Sequence, residues 1–199
     1  MSIALYAAVP SSVPVIRCSP PSWAAQIALH EEGTAHDIHW LRFDRGEHRS
    51  PEMLRLHAGG TVPLLVDEGT VLSDTVAILE YIVARSPHQR LVLGPNSAAR
   101  LEDAIAVKEA GMKAFRALMK EPGNAEVWPP LLAALTPWEQ RLGSDAGLDV
   151  ATLLLFVYAE TARSLGFQTS AWPGLDTFLT AMRRRGSVLA CWPDTWPRP

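Results

Sequence analysis

The side chains best suited to thiol chemistry stand together near the start of the sequence. Cys18 and Ser19 precede a run of strong helix formers that begins at Ser22 and stops before Gly33. A hydroxyl donor beside the N-terminus of a helix lowers the pKa of a thiol, because both features favour the thiolate. Cys18 itself is either a nucleophile or a small core residue at a strand end, and the sequence favours the core residue.

The histidines and cysteines do not form a metal site in the sequence. His36 and His39 flank Asp37, but residues three apart on a strand face opposite sides of the sheet, so solvated histidines are predicted. Cys18 and Cys191 are too few for a disulfide framework or a zinc ribbon. Two cysteines suit a reducing compartment.

The elements that would position these groups alternate between strand and helix over the first half of the chain. Their order is β-α-β-α-β-β-α in residues 1–85, with the first strand at either Ile3–Ala8 or Val13–Cys18. The first two strands are joined through a helix and should be parallel. The last two form a hairpin around Asp67-Glu68-Gly69. A mixed four-stranded sheet with helices on both faces is therefore predicted.

The second half of the chain has no strand pattern. Residues 86–96 read as a linker, and Ser97–Lys120 has the apolar spacing of one long helix. Three segments are expected: an α/β domain at residues 1–85, the linker at 86–96, and an all-helical domain at 97–199.

Composition excludes several classes of function. The 199 residues carry a formal net charge of −3, which makes nucleic acid a poor candidate partner. No apolar run approaches the ~20 residues of a membrane span. The apolar start lacks a basic segment, so a signal peptide is not expected.

Three stretches of the sequence resemble the soluble glutathione S-transferases, and the resemblance covers nearly the whole chain. The strongest is Arg49–Leu56 continuing through Gly60-Thr61-Val62-Pro63-Leu64-Leu65-Val66-Asp67, which is similar to the family's helix leading to a Val-Pro with a cis proline. The second is Val71–Ile82, similar to the family's "Leu-x-Glu-Ser-x-Ala-Ile-x-x-Tyr-Leu". The third, Ser19-Pro20-Pro21-Ser22-Trp23, resembles the serine-type classes and zeta most closely.

The resemblance implies a thioredoxin-like N-terminal domain that binds glutathione, followed by an all-helical domain. Thr61, Val62 and Pro63 would lie along the tripeptide, with the Val62 backbone pairing with the cysteinyl unit like an added strand. Asp74 suits the γ-glutamyl ammonium, and Thr75 with nearby backbone N–H groups suits the γ-glutamyl carboxylate. Without the resemblance, Asp74 reads as a helix N-cap and Pro63 as a turn proline.

The glycyl carboxylate of glutathione must be held without lysine, since residues 1–100 contain none. His48 is the candidate placed in the glutathione site. Arg17, Arg45 and Arg49 are the other candidates.

The residue that activates the thiol is left open between two alignments. Ser19 matches the serine-class position if Val13–Cys18 is the first strand, and Ser22 is then a helix N-cap and second donor.

The competing alignment takes Leu5-Tyr6 as the end of the first strand. Ser11, Ser12 or Tyr6 then becomes the activating residue. The segment from Leu5 to Gly33 is longer than the family's pattern, so an insertion must lie within it.

The function implied is a glutathione transferase that directs the thiolate at a small hydrophobic electrophile. Met112, Phe115 and Arg116 of the long helix are the expected electrophile pocket. A glutathione-dependent isomerase, a pathway-specific lyase or biosynthetic enzyme, and a catalytically silent binding or regulatory protein are the alternatives. Glutathione is the expected co-substrate and no metal is expected. The resemblance also implies a homodimer in the cytoplasm.

Overall fold

A computed structural model describes residues 3–91, 97–142 and 148–199 of the chain. The chain divides into two compact units. Unit 1 comprises Met1–Leu91 with Ala190–Arg198, and unit 2 comprises Val92–Leu189 with Pro199.

Unit 1 is built on a four-stranded sheet in the order β2-β1-β3-β4. The strands are β1 Ile3–Ala8, β2 His36–Leu41, β3 Leu64–Asp67 and β4 Thr70–Leu72. β1 runs parallel to β2 and antiparallel to β3, and β3 and β4 form the predicted hairpin. The predicted fold class, a thioredoxin-like α/β domain followed by helices, is confirmed.

The first strand is Ile3–Ala8, so the alternative at Val13–Cys18 is wrong. That segment is a loop instead, in which Val15 and Arg17 have left-handed φ angles of 64° and 49°. A strand cannot contain such residues, because a left-handed φ turns the chain out of the extended conformation.

Residues 3–91 of unit 1 contain the α-helices α1 Pro20–Glu31, α2 Pro51–Leu56 and α3 Thr75–Arg85, besides short 3-10 turns. Residues 20–29 of α1 are all buried, so this helix forms much of the unit's core. Ser50 caps α2, as its position before Pro51 predicts, by accepting a hydrogen bond from Met53 N–H at 3.3 Å.

The C-terminal residues Ala190–Arg198, which we call the strap, belong to unit 1. The sequence assigned residues 97–199 to the helical domain, so the strap is a departure from that division. It is held by long-range contacts: Trp192 and Trp196 both meet the buried indole of Trp23, at centroid distances of 5.6 and 5.4 Å.

A buried carboxylate, that of Glu32, holds residues 86–91 against the rest of unit 1. Glu32 is fully buried and accepts hydrogen bonds from Ser86 Oγ and Leu91 N–H, each at 2.7 Å. Residues 86–91 of the predicted linker are thus tied into unit 1. Residues 92–96 lie outside the described part of the chain.

Unit 2 consists of helices over its described residues. These are α4 Ser97–Lys120, α5 Trp128–Glu139, α6 Val150–Ser164, α7 Pro173–Arg183 and α8 Gly186–Ala190, whose last residue joins the strap. Residues 150–162 of α6 are all buried, which makes it the central helix. A reciprocal capping box between Asp149 and Thr152 begins it. No helix within the described ranges is long and apolar enough to cross a membrane.

Helix α4 lies close against α6 at Gly111. A Cβ at this position would stand 2.7 Å from Cδ1 of the buried Tyr158. Glycine is therefore required here by the close approach of the helices.

A buried ion pair links α6 to α7. Arg183 donates to Glu160 Oε1 from Nε at 3.0 Å and from Nη2 at 2.6 Å. Oε2 of Glu160 has no hydrogen-bond partner among the described residues. Burial raises the pKa of Glu160, and this outweighs the lowering effect of Arg183.

The stability of the native protein should fall as the pH rises and Glu160 loses its proton. Glu160→Gln should abolish this fall, because glutamine does not titrate. Because the folded pKa of Glu160 is raised, its contribution is fully present below the unfolded pKa, near 4.5, and is lost as the pH rises through the folded pKa. The Tm of the variant relative to the native protein should therefore increase from about pH 4 to about pH 8. Thermal unfolding followed by circular dichroism tests this, and a Tm difference independent of pH would contradict it.

Candidate functional site

The N-terminus of α1 presents two hydroxyl groups to one point. Ser19 is the N-cap residue, and its Oγ donates to Ser22 Oγ at 3.0 Å. Pro20 and Pro21 have no N–H, so two of the free N–H donors normally present at the N-terminus of a helix are missing. The serine hydroxyls and the remaining N–H of Ser22 are therefore the groups available to stabilise negative charge here.

A long loop connects β1 to α1, within the segment in which the sequence predicts an insertion. It brings Ser19 to the helix N-terminus even though β1 is Ile3–Ala8, the strand of the competing alignment. The strand of one alignment and the serine of the other therefore occur together, joined by a loop of 11 residues, Val9–Ser19.

The alternative hydroxyl residues lie elsewhere. Ser12 is buried and supports the loop: it donates to Val9 O at 2.7 Å and accepts from Phe43 N–H at 3.0 Å. Ser11 is exposed. Tyr6 stacks on His39 of the neighbouring strand, with ring centroids 4.7 Å apart.

Neither cysteine has the character of a reactive thiol. Cys18 is almost fully buried, and burial raises its pKa far above the ordinary range of a thiol. Burial also raises the pKa of Cys191, to about 12. A reactive cysteine requires the opposite shift, so the interpretation of Cys18 as a core residue fits the structure.

The segment before β3 has the cis peptide bond Val62–Pro63. Val62 is half-buried, and the pairing of β3 with β1 begins only at Leu64. Thr61 is exposed, and its Oγ1 lies 3.1 Å from Nε2 of His57. The backbone of Val62 is thus placed just beyond the end of the sheet pairing.

Asp74 and Thr75 begin α3. Asp74 is the N-cap and accepts from Val76 N–H at 2.9 Å and Ala77 N–H at 3.0 Å through one oxygen, Oδ1. Thr75 is the first residue of the helix and is buried. Asp74 is therefore the N-cap of α3, as the sequence predicts even without the family resemblance.

His48 is poorly suited to carry a positive charge. Its ring stacks on Phe43 at a centroid distance of 4.0 Å, and its buried Nδ1 has no hydrogen-bond partner among the described residues. Burial, and secondarily the neighbouring Arg49, lowers the pKa of His48. A neutral imidazole is the expected form at neutral pH.

The three residues predicted for the electrophile pocket do not face one site. Met112 and Arg116 line an open groove on α4 together with Lys108, Lys113 and Lys120. Phe115 is fully buried and stacks on Tyr158, so it is a core residue of unit 2. Helical spacing placed all three on neighbouring faces, but the packing of α4 against α6 covers Phe115.

No group of three or more metal-ligating side chains occurs in the described ranges. Two features of unit 1 were not assigned to a site from the sequence: the exposed indole of Trp40 at the end of β2, and the contact of the strap with α1. The local signal for Trp40 is the one imperfect step in this strand, where Trp40 and Leu41 are adjacent apolar residues and so face opposite sides of the sheet.

Comparison with known proteins agrees with this architecture. Residues 18–85 match the profile of the glutathione S-transferase N-terminal domain. The chain is similar to glutathione S-transferase A of Pleuronectes platessa, with 24% identity over 203 residues and 89% of each chain covered.

Solved structures show the same fold. The glutathione S-transferase of the Antarctic clam Laternula elliptica superposes with a TM-score of 0.81 at 20% identity, covering 98% of this chain and 94% of the other. A glutathione transferase homologue from Sulfitobacter, solved with bound glutathione, superposes with a TM-score of 0.69 at 23% identity, covering 95% and 96%. The matched N-terminal segment and the relative aligned along most of the chain make this chain similar to the glutathione S-transferases, and it shares their fold.

Proposed function

We propose that this chain is a glutathione transferase that activates the glutathione thiol at the N-terminus of α1. The observation that carries the proposal is the hydrogen-bonded pair Ser19 and Ser22, 3.0 Å apart at the start of a buried helix. A hydroxyl that donates to sulfur and the positive end of a helix dipole both favour the thiolate.

In this mechanism Ser19 turns its hydroxyl from Ser22 toward the glutathione sulfur. Only the hydrogen bond between the two side chains has to break for this rotation, so the backbone hydrogen bonds of both residues stay in place. The thiol proton is released to water, and the thiolate forms a bond to an electrophilic carbon held beside it while the leaving group departs with the electrons of its own bond. Proximity supplies a further part of the rate increase.

Glutathione itself would be held by backbone and by the start of α3. The cysteinyl unit pairs with the backbone of Val62, which lies two residues before the pairing of β3 with β1 begins at Leu64. Thr61 and Pro63 flank it. Asp74 attracts the γ-glutamyl ammonium, and the Thr75 end of α3 attracts the γ-glutamyl carboxylate.

The glycyl carboxylate requires a cation that is not His48. Because burial lowers the pKa of His48, we assign this contact to an arginine instead. Arg17, Arg45 and Arg49 are all exposed and remain charged, so one of them supplies the contact.

Asp74→Asn should weaken glutathione binding by roughly tenfold, since one charge-assisted hydrogen bond to the ammonium is lost. Asparagine is also a good N-cap, so α3 should keep its start and the Tm without ligand should change little. Isothermal titration calorimetry with S-methylglutathione measures the affinity without reaction. Equal affinity of the native protein and the variant would show that Asp74 is an N-cap alone.

The function is tested in two steps. Reduced glutathione should raise the Tm, because a ligand at ~100 times its Kd stabilises the folded state by about 2.7 kcal/mol. Turnover of 1-chloro-2,4-dinitrobenzene, a generic aromatic electrophile, should then be measurable. No thermal shift at millimolar glutathione would overturn the proposal. Binding without turnover of any of a panel of electrophiles would favour a binding or regulatory protein.

A further inference from the structure

Two histidine side chains meet at the C-terminal end of α1. His30 lies in the last turn of α1 and His36 is the first residue of β2, and their ring centroids are 5.2 Å apart with the planes at 82°. His30 is exposed and His36 is half-buried, so solvent reaches this pair. The sequence suggested only His39 as a neighbour of His36, and that residue points to the other face of β2.

A tight turn holds the two histidines at this separation. Gly33 has a left-handed φ of 61°, and its N–H donates to His30 O at 3.2 Å. The N–H of Thr34 donates to Leu29 O at 2.9 Å, which completes a Schellman motif. His36 follows directly in a strand that is paired with β1. The backbone that carries both imidazoles is therefore fixed without any ligand.

The hydrogen bond of His36 determines which of its ring nitrogens is free. Nδ1 lies 2.7 Å from the carbonyl oxygen of Thr34. A carbonyl oxygen can only accept, so Nδ1 carries the hydrogen and the neutral ring has its lone pair on Nε2. Histidines that bind metal ions commonly donate their other ring N–H to a backbone carbonyl in this way. His36 therefore has the tautomer of a ligand that binds through Nε2.

His30 also keeps a lone pair at neutral pH. Partial burial, and secondarily the neighbouring His36, lowers the pKa of His30. A metal ion competes with protons for the ring nitrogen of histidine, so a lowered pKa favours the metal. Two imidazolium cations would repel each other at this separation, whereas two neutral imidazoles can share one cation.

The separation of the rings suits a shared metal ion. With metal–nitrogen bonds of ~2.0–2.1 Å and a tetrahedral angle, two imidazoles on one ion have ring centroids about 5 Å apart. The observed 5.2 Å agrees with this value. Imidazole ligands favour zinc, copper and nickel over magnesium and calcium. No third metal-ligating side chain joins the pair within the described ranges, so water must complete the coordination.

We propose that His30 and His36 bind one divalent transition metal ion, with His36 coordinating through Nε2. The ion would connect the end of α1 to the start of β2. His30 lies 11 residues after Ser19 in the chain, which is about 16 Å along a helix. The site is therefore separate from the serine pair, and its existence does not depend on the proposed function.

The test is calorimetric titration of the full chain with zinc chloride and with magnesium chloride, without glutathione and in a buffer that does not chelate metals. Zinc should bind at one ion per chain, and magnesium should show no saturable binding. His36→Ala and His30→Phe should each weaken zinc binding by at least ~10-fold. His30→Phe keeps an aromatic ring beside His36, so it removes the ligand nitrogen but not the edge-to-face packing.

Electron paramagnetic resonance identifies the ligands directly. Copper(II) added at half the protein concentration should occupy the site first, because imidazole sites prefer it to zinc. The native spectrum should show coupling to two imidazole nitrogens, and His30→Phe should show coupling to one. A native spectrum with a single coupled nitrogen would contradict the shared ion.

His39→Ala is the matched control, since His39 is also an exposed histidine of β2 but lies on the opposite face. It should bind zinc as tightly as the native protein. His30 is exposed, so His30→Phe should fold, and an unchanged Tm without metal verifies this. The inference is overturned if zinc does not bind at one ion per chain, if His30→Phe binds it normally, or if His39→Ala loses as much affinity.

Discussion

Ser19→Ala should lower kcat for conjugation by roughly 100-fold and leave the Kd for S-methylglutathione almost unchanged. Losing one hydrogen-bond donor that acts on a developing or stabilised anion typically costs ~10²–10³ in rate. The loss falls on kcat because Ser19 Oγ touches the sulfur and no other part of the tripeptide in the proposed complex. Initial rates with a generic aromatic electrophile, combined with calorimetry, separate the two quantities.

The pH profile gives a second signature of the same change. If Ser19 stabilises the thiolate, its removal raises the pKa of the bound thiol, so less thiolate is present at neutral pH. The rate of Ser19→Ala should then recover as the pH increases, whereas a variant that is only distorted would remain slow at every pH. The ultraviolet absorbance of the thiolate in the binary complex measures that pKa directly.

The other hydroxyls provide the matched controls. Ser11→Ala and Tyr6→Phe should keep full activity, since Ser11 is exposed and Tyr6 stacks on His39 away from the helix start. Ser12→Ala should mainly lower stability, by about 1–3 kcal/mol, because Phe43 N–H loses its hydrogen-bond partner, whereas Val9 O keeps the bond from the backbone N–H of residue 12. Full activity of Ser19→Ala together with loss in one of these variants would move the thiol site to that residue.

The sheet of unit 1 was predictable because each strand carries its own local signal. The hairpin has the turn Asp67-Glu68-Gly69, and Glu68 and Gly69 have left-handed φ angles of 47° and 87°. The first strand was ambiguous for a physical reason: Ile3–Ala8 and Val13–Cys18 are both short apolar runs. Only pairing with β2 and β3 decides between them, and neither run by itself indicates which strands it pairs with.

The candidate site shows the same division between local and long-range information. The caps of α2 and α3 are predictable because helix starts have local chemistry, although α1 begins at Pro20 with Ser19 as its N-cap, so the N-cap predicted at Ser22 is wrong. Phe115 was misplaced because helical spacing defines a face but not the neighbour that covers it. The two indoles of the strap can be expected from the sequence to pack against other residues, but their partners cannot be identified, because Trp23 and the loop at Ile16-Arg17 lie about 170–180 residues earlier in the chain.

Trp192→Ala should lower the free energy of unfolding by about 3–5 kcal/mol, the usual result of truncating a buried tryptophan. The indole is 8% exposed, meets Trp23 and Trp196 at 5.6 and 5.8 Å, and donates from Nε1 to Pro197 O at 3.0 Å. For a chain of this size the Tm should fall on the order of 10 °C. Thermal and denaturant unfolding measure the loss.

The same substitution should also lower activity, because the strap holds the loop that precedes Ser19. Thr195 Oγ1 donates to Arg17 O at 2.6 Å and Trp196 Nε1 donates to Ile16 O at 3.3 Å. These carbonyls flank backbone at left-handed φ, which non-glycine residues keep only when their surroundings enforce it. Loosening the strap should therefore raise amide hydrogen exchange in the loop and in the first turn of α1.

Two variants separate this role from general destabilisation. Leu189→Ala changes an exposed residue immediately before the strap and should cost less than about 0.5 kcal/mol. Trp192→Phe keeps an aromatic ring against Trp23 but loses the bond to Pro197, so about 1 kcal/mol and little exchange in the loop are expected. If Trp192→Ala is as stable as Leu189→Ala, or if its loop exchanges no faster than that of the native protein, the strap is not part of the scaffold that positions Ser19.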